Sequence, residues 1–90
     1  MNRSDIPTLD DLRAFEAVAR LGSVRAAADA LALTHGAVSQ QIKSLEGFLG
    51  RPLFIRKARG LELTNTAQAY LPTVDAAFKL LAEGTQNVRG

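Results

Sequence analysis

The sequence predicts a mostly α domain with one small β element, and three observations carry that reading. Apolar residues recur at helical spacing in four segments, and a hydroxyl residue able to cap a helix precedes the first three. Room for only about three residues separates the second and third segments, the spacing of a helix-turn-helix. Between the third and fourth lies an alternating stretch broken by a glycine-containing basic turn, as in a short hairpin. The expected architecture is a winged helix-turn-helix, three helices plus a two-stranded wing, followed by a long linker or dimerisation helix.

Thr8 precedes "LDDLRAFEAVARLG", in which Leu12, Phe15, Val18 and Ala19 share one face. Asp10 and Asp11 fall in the first turn, where the helix dipole favours acids, and Gly22 is placed as a C-terminal stop. Ser23 heads the short, alanine-rich "VRAAADAL". Alanine favours helix and permits close approach of a neighbouring helix. After the turn, Thr34 caps a third helix expected from His35 to about Leu49, stopped by Gly50. On a wheel of ~100° per residue, Ile42, Leu45 and Leu49 fall within ~40° of Val38. Gly36, Ser39, Gln40, Lys43 and Gly47 gather on the opposite side.

Leu53, Phe54 and Ile55 suit a strand, "KARG" a basic turn and "LELT" a returning strand, with Lys57 and Arg59 at the tip. From Thr64 the helical pattern returns. Ala67, Leu71, Val74, Phe78 and Leu81 are spaced four, three, four and three, an a/d seam suited to helix pairing or to packing on the chain's own domain. Pro72 lies inside this segment and is expected to kink or loosen it. The expected boundaries are a reading domain over residues 1–63 and a linker helix over 64–90.

Composition narrows the function. Hydrophobic residues make up 47% of the 90 residues, too many for a disordered chain of this charge. There is no cysteine, which excludes disulfides and thiolate metal sites, and a single histidine disfavours an all-protein transition-metal site. The opening "MNRSDIPTLDDL" has no apolar h-region, and no apolar run reaches membrane-spanning length. No membrane association and a cytoplasmic location are therefore expected. The net charge of +2 is unevenly spread. Residues 34–60 carry Lys43, Arg51, Arg56, Lys57 and Arg59 against Glu46 alone, a net +4, and each flanking segment carries −1. A local basic patch is the electrostatic footprint of a polyanion partner.

The outer face of the third helix fits that partner. The major groove of B-DNA admits one α-helix and presents a distinct donor and acceptor pattern for each base pair. A reading helix needs short or flexible polar side chains there and no bulk in its first turns. Gly36 leaves room for close approach, and Gln40 can make paired hydrogen bonds to adenine. Ser39 and Thr34 can bond phosphates, Thr34 also as a cap, and Lys43 suits a phosphate one turn deeper. His35 is placed for a DNA contact in the first turn. No nucleophile-and-base order, paired carboxylates or glycine-rich phosphate loop accompanies it, so no enzyme is expected and no cofactor is called for. Ser23 and Arg25 sit at the start of the second helix, where free N–H groups favour phosphate, although Arg25 suits plain surface as well. Arg59 is placed to enter a narrow minor groove. Arg56 either contacts DNA or pairs with Glu46 or another acid inside the domain. A protein-interaction module without DNA is the competing class, and the polar outer face of the third helix argues against it.

From about Leu9 to Leu71 the chain resembles the N-terminal DNA-binding domain of LysR-type transcriptional regulators. The resemblance rests on Leu12, Phe15, Val18, Ala19, Gly22 and Ser23, then Ala27, Ala28 and Leu31. It continues through "THGAVSQQIK", Leu45, Glu46, Leu49 and Gly50, and ends with Leu53, Phe54, Arg56, Leu63 and Thr64. The wording is similar to the branch that includes β-lactamase regulators and the glycine-cleavage activator. The resemblance implies linker helices that pair antiparallel into a homodimer, here through Leu71, Val74, Phe78 and Leu81. It implies two recognition helices in successive major grooves of an interrupted palindromic operator. His35, Gly36, Ser39 and Gln40 fall where the family contacts bases and phosphates, and Arg59 where its wing arginine approaches the minor groove. It further implies a C-terminal effector domain beyond this segment and RNA polymerase as a partner of the full-length protein. Two departures stand out: Arg25 and Ala26 replace the family's usual threonine-then-arginine order, and Ala67 replaces its usual glycine.

Overall fold

The computed structural model describes residues 5–90. Residues 1–4, the start of the expected 1–63 domain, lie outside the described residues. Element order is α1 (Leu9–Leu21), α2 (Val24–Leu31), α3 (His35–Leu49), β1 (Phe54–Lys57), β2 (Gly60–Leu63) and α4 (Asn65–Arg89).

Every helix begins on the same chemistry. The side-chain oxygens of Thr8, Ser23, Thr34 and Thr64 accept from the backbone N–H three residues on, at 3.2, 2.9, 3.0 and 3.1 Å. Each bond satisfies one of the amide donors that a helix start leaves unpaired. Helix ends are equally local. Gly22 and Gly50 take left-handed φ of +80° and +70°, and their N–H groups bond back to Val18 and Glu46. The exception is Ala32, which ends α2 at φ +56° without being glycine. There Leu33 N–H donates to Ala28 O at 2.9 Å and Ala32 N–H to Asp29 O at 3.3 Å, so the turn is held by two bonds that oppose the steric cost of a left-handed alanine.

The core is made by α1, α2, α3, Leu53 and the first half of α4. Phe15, Leu45, Leu53, Val18 and Val38 are its largest fully buried side chains, and no polar or charged side chain is buried among the described residues. Phe15 is central: its ring lies 5.8 Å from Phe54 and 6.0 Å from Tyr70, joining α1 to β1 and α4. Burial pushes the Tyr70 hydroxyl above its ordinary pKa. Ala27 and Ala28 are buried on α2, where their small size lets the helices approach. Ala67, in the place of the family's usual glycine, is fully buried, and the core accommodates its methyl group.

The hairpin is antiparallel, with Phe54 opposite Leu63, Ile55 opposite Glu62, Arg56 opposite Leu61 and Lys57 opposite Gly60. Its strands lie one residue nearer the tip than expected, for Lys57 and Gly60 of the expected turn pair with each other while Leu53 and Thr64 fall outside. Leu53 is not a strand residue: its N–H donates to Glu46 Oε2 at 2.7 Å and its C=O accepts from Thr64 N–H at 3.0 Å. Thr64 is not one either: while capping α4, its hydroxyl donates to Pro52 O at 2.8 Å.

Helix α4 runs through exposed Pro72 without interruption. Its seam is divided. Val74 is 3% exposed and belongs to the chain's own core, with Leu71, Phe78 and Tyr70 packed against that core. Leu81 is 51% exposed, and beyond the body Leu80 and Val88 are exposed too. The spacing of the seam was right, but its first part faces inward because α4 starts directly from the anchored wing. At a rise of ~1.5 Å per residue, this helix sets the longest of the molecular extents, 46 × 28 × 20 Å.

Candidate nucleic-acid interface

Three elements converge on one side of the molecule. The core-facing residues of α3, namely Val38, Ile42 and Leu45, fix its rotation, which leaves His35, Gly36, Gln40 and Lys43 exposed and Ser39 half-buried. A methyl group placed on Gly36 would meet nothing within 4 Å, and the residue does not need a left-handed backbone. Nothing inside the chain therefore requires glycine there.

The starts of α2 and α3 meet the wing around a shallow concavity of about 150 Å³, lined by Gly22, Ser23, Val24, Arg25, His35, Arg56, Gly60 and Leu61. Of the residues read from sequence as DNA-contacting, the structure thus brings together Ser23, Arg25, His35 and Arg56. Thr34 stands at the head of α3 as its cap, and Ser39, Gln40 and Lys43 continue along that helix. Arg59 stands apart, in the two-residue loop at the wing tip.

Among the described residues, Arg56 does not make the internal ion pair that was one of its two expected roles. It shares a face of the hairpin with its partner Leu61, and both line the concavity, whereas Glu62 alternates to the opposite face. Glu46 is engaged with the Leu53 amide, and no acid among the described residues forms an ion pair with Arg56. The ion pair present lies elsewhere, Arg20 to Glu16 at 2.9 Å on α1. That hydrogen bond, then the Glu16 charge, raises the Arg20 pKa.

Residues that position the site escaped the sequence reading. Gly60 takes φ +116°, a backbone that side chains rarely adopt, while Ala58 and Arg59 keep negative φ. Glycine thus absorbs the turn and leaves Arg59 an ordinary backbone at the tip. Glu46 and Thr64 together hold the wing base through Leu53 and Pro52. Their signal in the sequence was chemical type alone, with partners far along the chain.

No group of three or more His, Cys, Asp or Glu able to hold a metal occurs among the described residues, and no described helix is long and apolar enough to cross a membrane.

Residues 9–68 match the family described as "Bacterial regulatory helix-turn-helix protein, lysR family". The chain is 46% identical over 83 residues to the glycine cleavage system transcriptional activator homolog of Haemophilus influenzae, covering 92% of this chain and 28% of that protein. It is 49% identical over 82 residues to the transcriptional activator AmpR of Citrobacter freundii, covering 91% and 28%. The chain thus spans little more than a quarter of these relatives' length. Among solved structures, the DNA-binding domain of CbnR in complex with DNA superposes with a TM-score of 0.83 at 31% identity, covering 92% of this chain and 95% of that one. These relatives are transcriptional regulators, not enzymes. The chain belongs to the LysR family of bacterial regulatory helix-turn-helix proteins, and this segment is its winged helix-turn-helix DNA-binding domain.

Proposed function

We propose that this domain reads a specific operator in double-stranded DNA, with the outer face of α3 in the major groove and the wing at the minor groove. The observation that carries the reading is the open ground over Gly36 on the exposed, polar face of α3, flanked by the cation-lined concavity. Gln40 is assigned to a base edge, and His35, Gly36 and Ser39 to contacts with bases and phosphates along the first turns. Thr34, Lys43, Ser23, Arg25 and Arg56 contact phosphates, and Arg59 enters the minor groove. The likeness to a domain solved on DNA supports this placement.

The proposed assembly is a homodimer on an interrupted palindrome, paired through the part of α4 that leaves the body. Leu80, Leu81, Gly84, Thr85, Val88 and Arg89 line an open groove there. Leu81, 51% exposed, is the member of the expected seam that faces outward, while Leu71 and Phe78 offer their remaining exposed edges and Val74 supports the helix from within. In the whole protein, an effector domain would govern this assembly in the bacterial cytoplasm and RNA polymerase would be its partner at the promoter.

The test is selection of short duplexes from a genomic pool at about 0.15 M salt, where non-specific phosphate contacts are weakened. Enrichment of a two-fold symmetric site is the expected result. Enrichment of a single half-site would remove the dimer from the proposal, and no enrichment would overturn operator reading by this chain.

A further inference from the structure

His35 is the chain's only histidine, and it is exposed at the head of α3. The concavity it lines contains two other charged groups, Arg25 from α2 and Arg56 from β1, and no acid. The remaining lining is Gly22, Ser23 and Val24 before and within α2, and Gly60 and Leu61 of β2. Along α3 itself, residues 36–39 are uncharged. Asp29, one turn along α2 from Arg25, and Glu62, on the far face of the hairpin, do not line the concavity.

An anion seated in this notch would distinguish the two protonation states of the imidazole. A DNA phosphate in the notch favours the charged form. It carries a permanent negative charge and offers only acceptor oxygens, whereas imidazolium presents two N–H donors and neutral imidazole one donor and one acceptor. We propose that His35 engages a backbone phosphate as the imidazolium, so that DNA binding by this domain takes up a proton from solvent at this notch.

The inference rests on the DNA-reading proposal above, and the sign follows from it. The bound group holds its proton more tightly than the free one. The added affinity is therefore fully present below the free imidazole's titration and is lost as pH rises through that of the bound group. Imidazole titrates between about pH 5 and 8, and one linked proton changes affinity by at most about tenfold per pH unit. The chain has no cysteine to titrate nearby, so the effect is assignable to His35 or to the α-amino group.

The experiment measures the Kd for a short random-sequence duplex between about pH 6 and 8 at fixed ionic strength, with wild type and His35→Gln. Calorimetry in two buffers of different ionisation enthalpy counts protons. The expected result is a roughly three- to tenfold weakening from the acid to the alkaline end and net proton uptake in wild type. Both should be lost in His35→Gln, whose thermal unfolding should match wild type because the side chain is exposed. Equal pH dependence in the two proteins, or binding without proton uptake, overturns the inference and leaves DNA reading intact. Failure of wild type to bind at any pH overturns both.

Discussion

The two faces of α3 are one helix under two sets of rules. Toward the body, Val38 and Leu45 are fully buried and Ile42 nearly so, in a core without a polar side chain. Away from it, the side chains of Gln40 and Lys43 make no hydrogen bond or ion pair with any described residue, and Gly36 faces open space. The inner face is over-determined by the chain, and the outer face is left free by it. Stability and recognition should therefore be separable by substitution within this one domain.

The strongest way to break the separation is from the inside. Phe15→Ala removes the ring that joins α1, β1 and α4 and should cost about 3–5 kcal/mol of stability, read by thermal or denaturant unfolding. DNA binding should fall only as far as the folded fraction does. A loss of affinity in molecules that are still folded would mean that the core also tunes the reading face.

Outer-face substitutions should do the reverse. Gln40→Ala should lower discrimination at one or two base pairs by roughly 1–3 kcal/mol with an unchanged melting temperature. Lys43→Ala should weaken all sequences alike, and reduce the slope of log K against log salt by about 0.9 if it meets one phosphate. If both mutants lose affinity equally on every duplex, the assignment of Gln40 to a base edge is wrong. Gly36→Ala sharpens the contrast further. The added methyl meets nothing in the chain, so stability should hold or rise by up to about 1 kcal/mol. Affinity for the selected operator should drop. Unchanged affinity would mean that no DNA atom comes near this turn.

The smallest effect concerns the turn between the two helices. Ala32→Gly relieves a left-handed alanine but adds freedom to the unfolded chain. A net gain of about 0.5 kcal/mol is expected, with specificity unchanged. A loss of specificity would show that the strained turn sets the angle of α3.

How legible this was depended on distance along the chain. Helix starts and stops were readable because Thr8, Ser23, Thr34, Gly22 and Gly50 act within a few residues of where they stand. The rotation of α3 was readable because burial follows its period. The notch was not, since it requires the pleat of β1 to turn Arg56 toward the starts of two helices remote in sequence. Glu46 likewise looked like a partner for an arginine, and its bond to the Leu53 amide depends on how the chain turns after Gly50. On α4 the period identified the apolar side but not what covers it, and Val74 and Leu81, seven residues apart on one stripe, met different fates.

Thr64 makes four hydrogen bonds, one of them from the Gln68 amide to its carbonyl along α4 and the other three tying the wing base to the helix start. Its amide donates to Leu53, its hydroxyl donates to Pro52, and its oxygen receives the Ala67 amide. A two-stranded hairpin has little stability of its own, so its direction is set at this joint, which is also the root of the longest helix. The wing and α4 thus share one joint at Thr64, with Glu46 holding the wing base beside it. In the proposed complex, a tilt of α4 would pass through this joint to the wing and so to Arg59 at its tip.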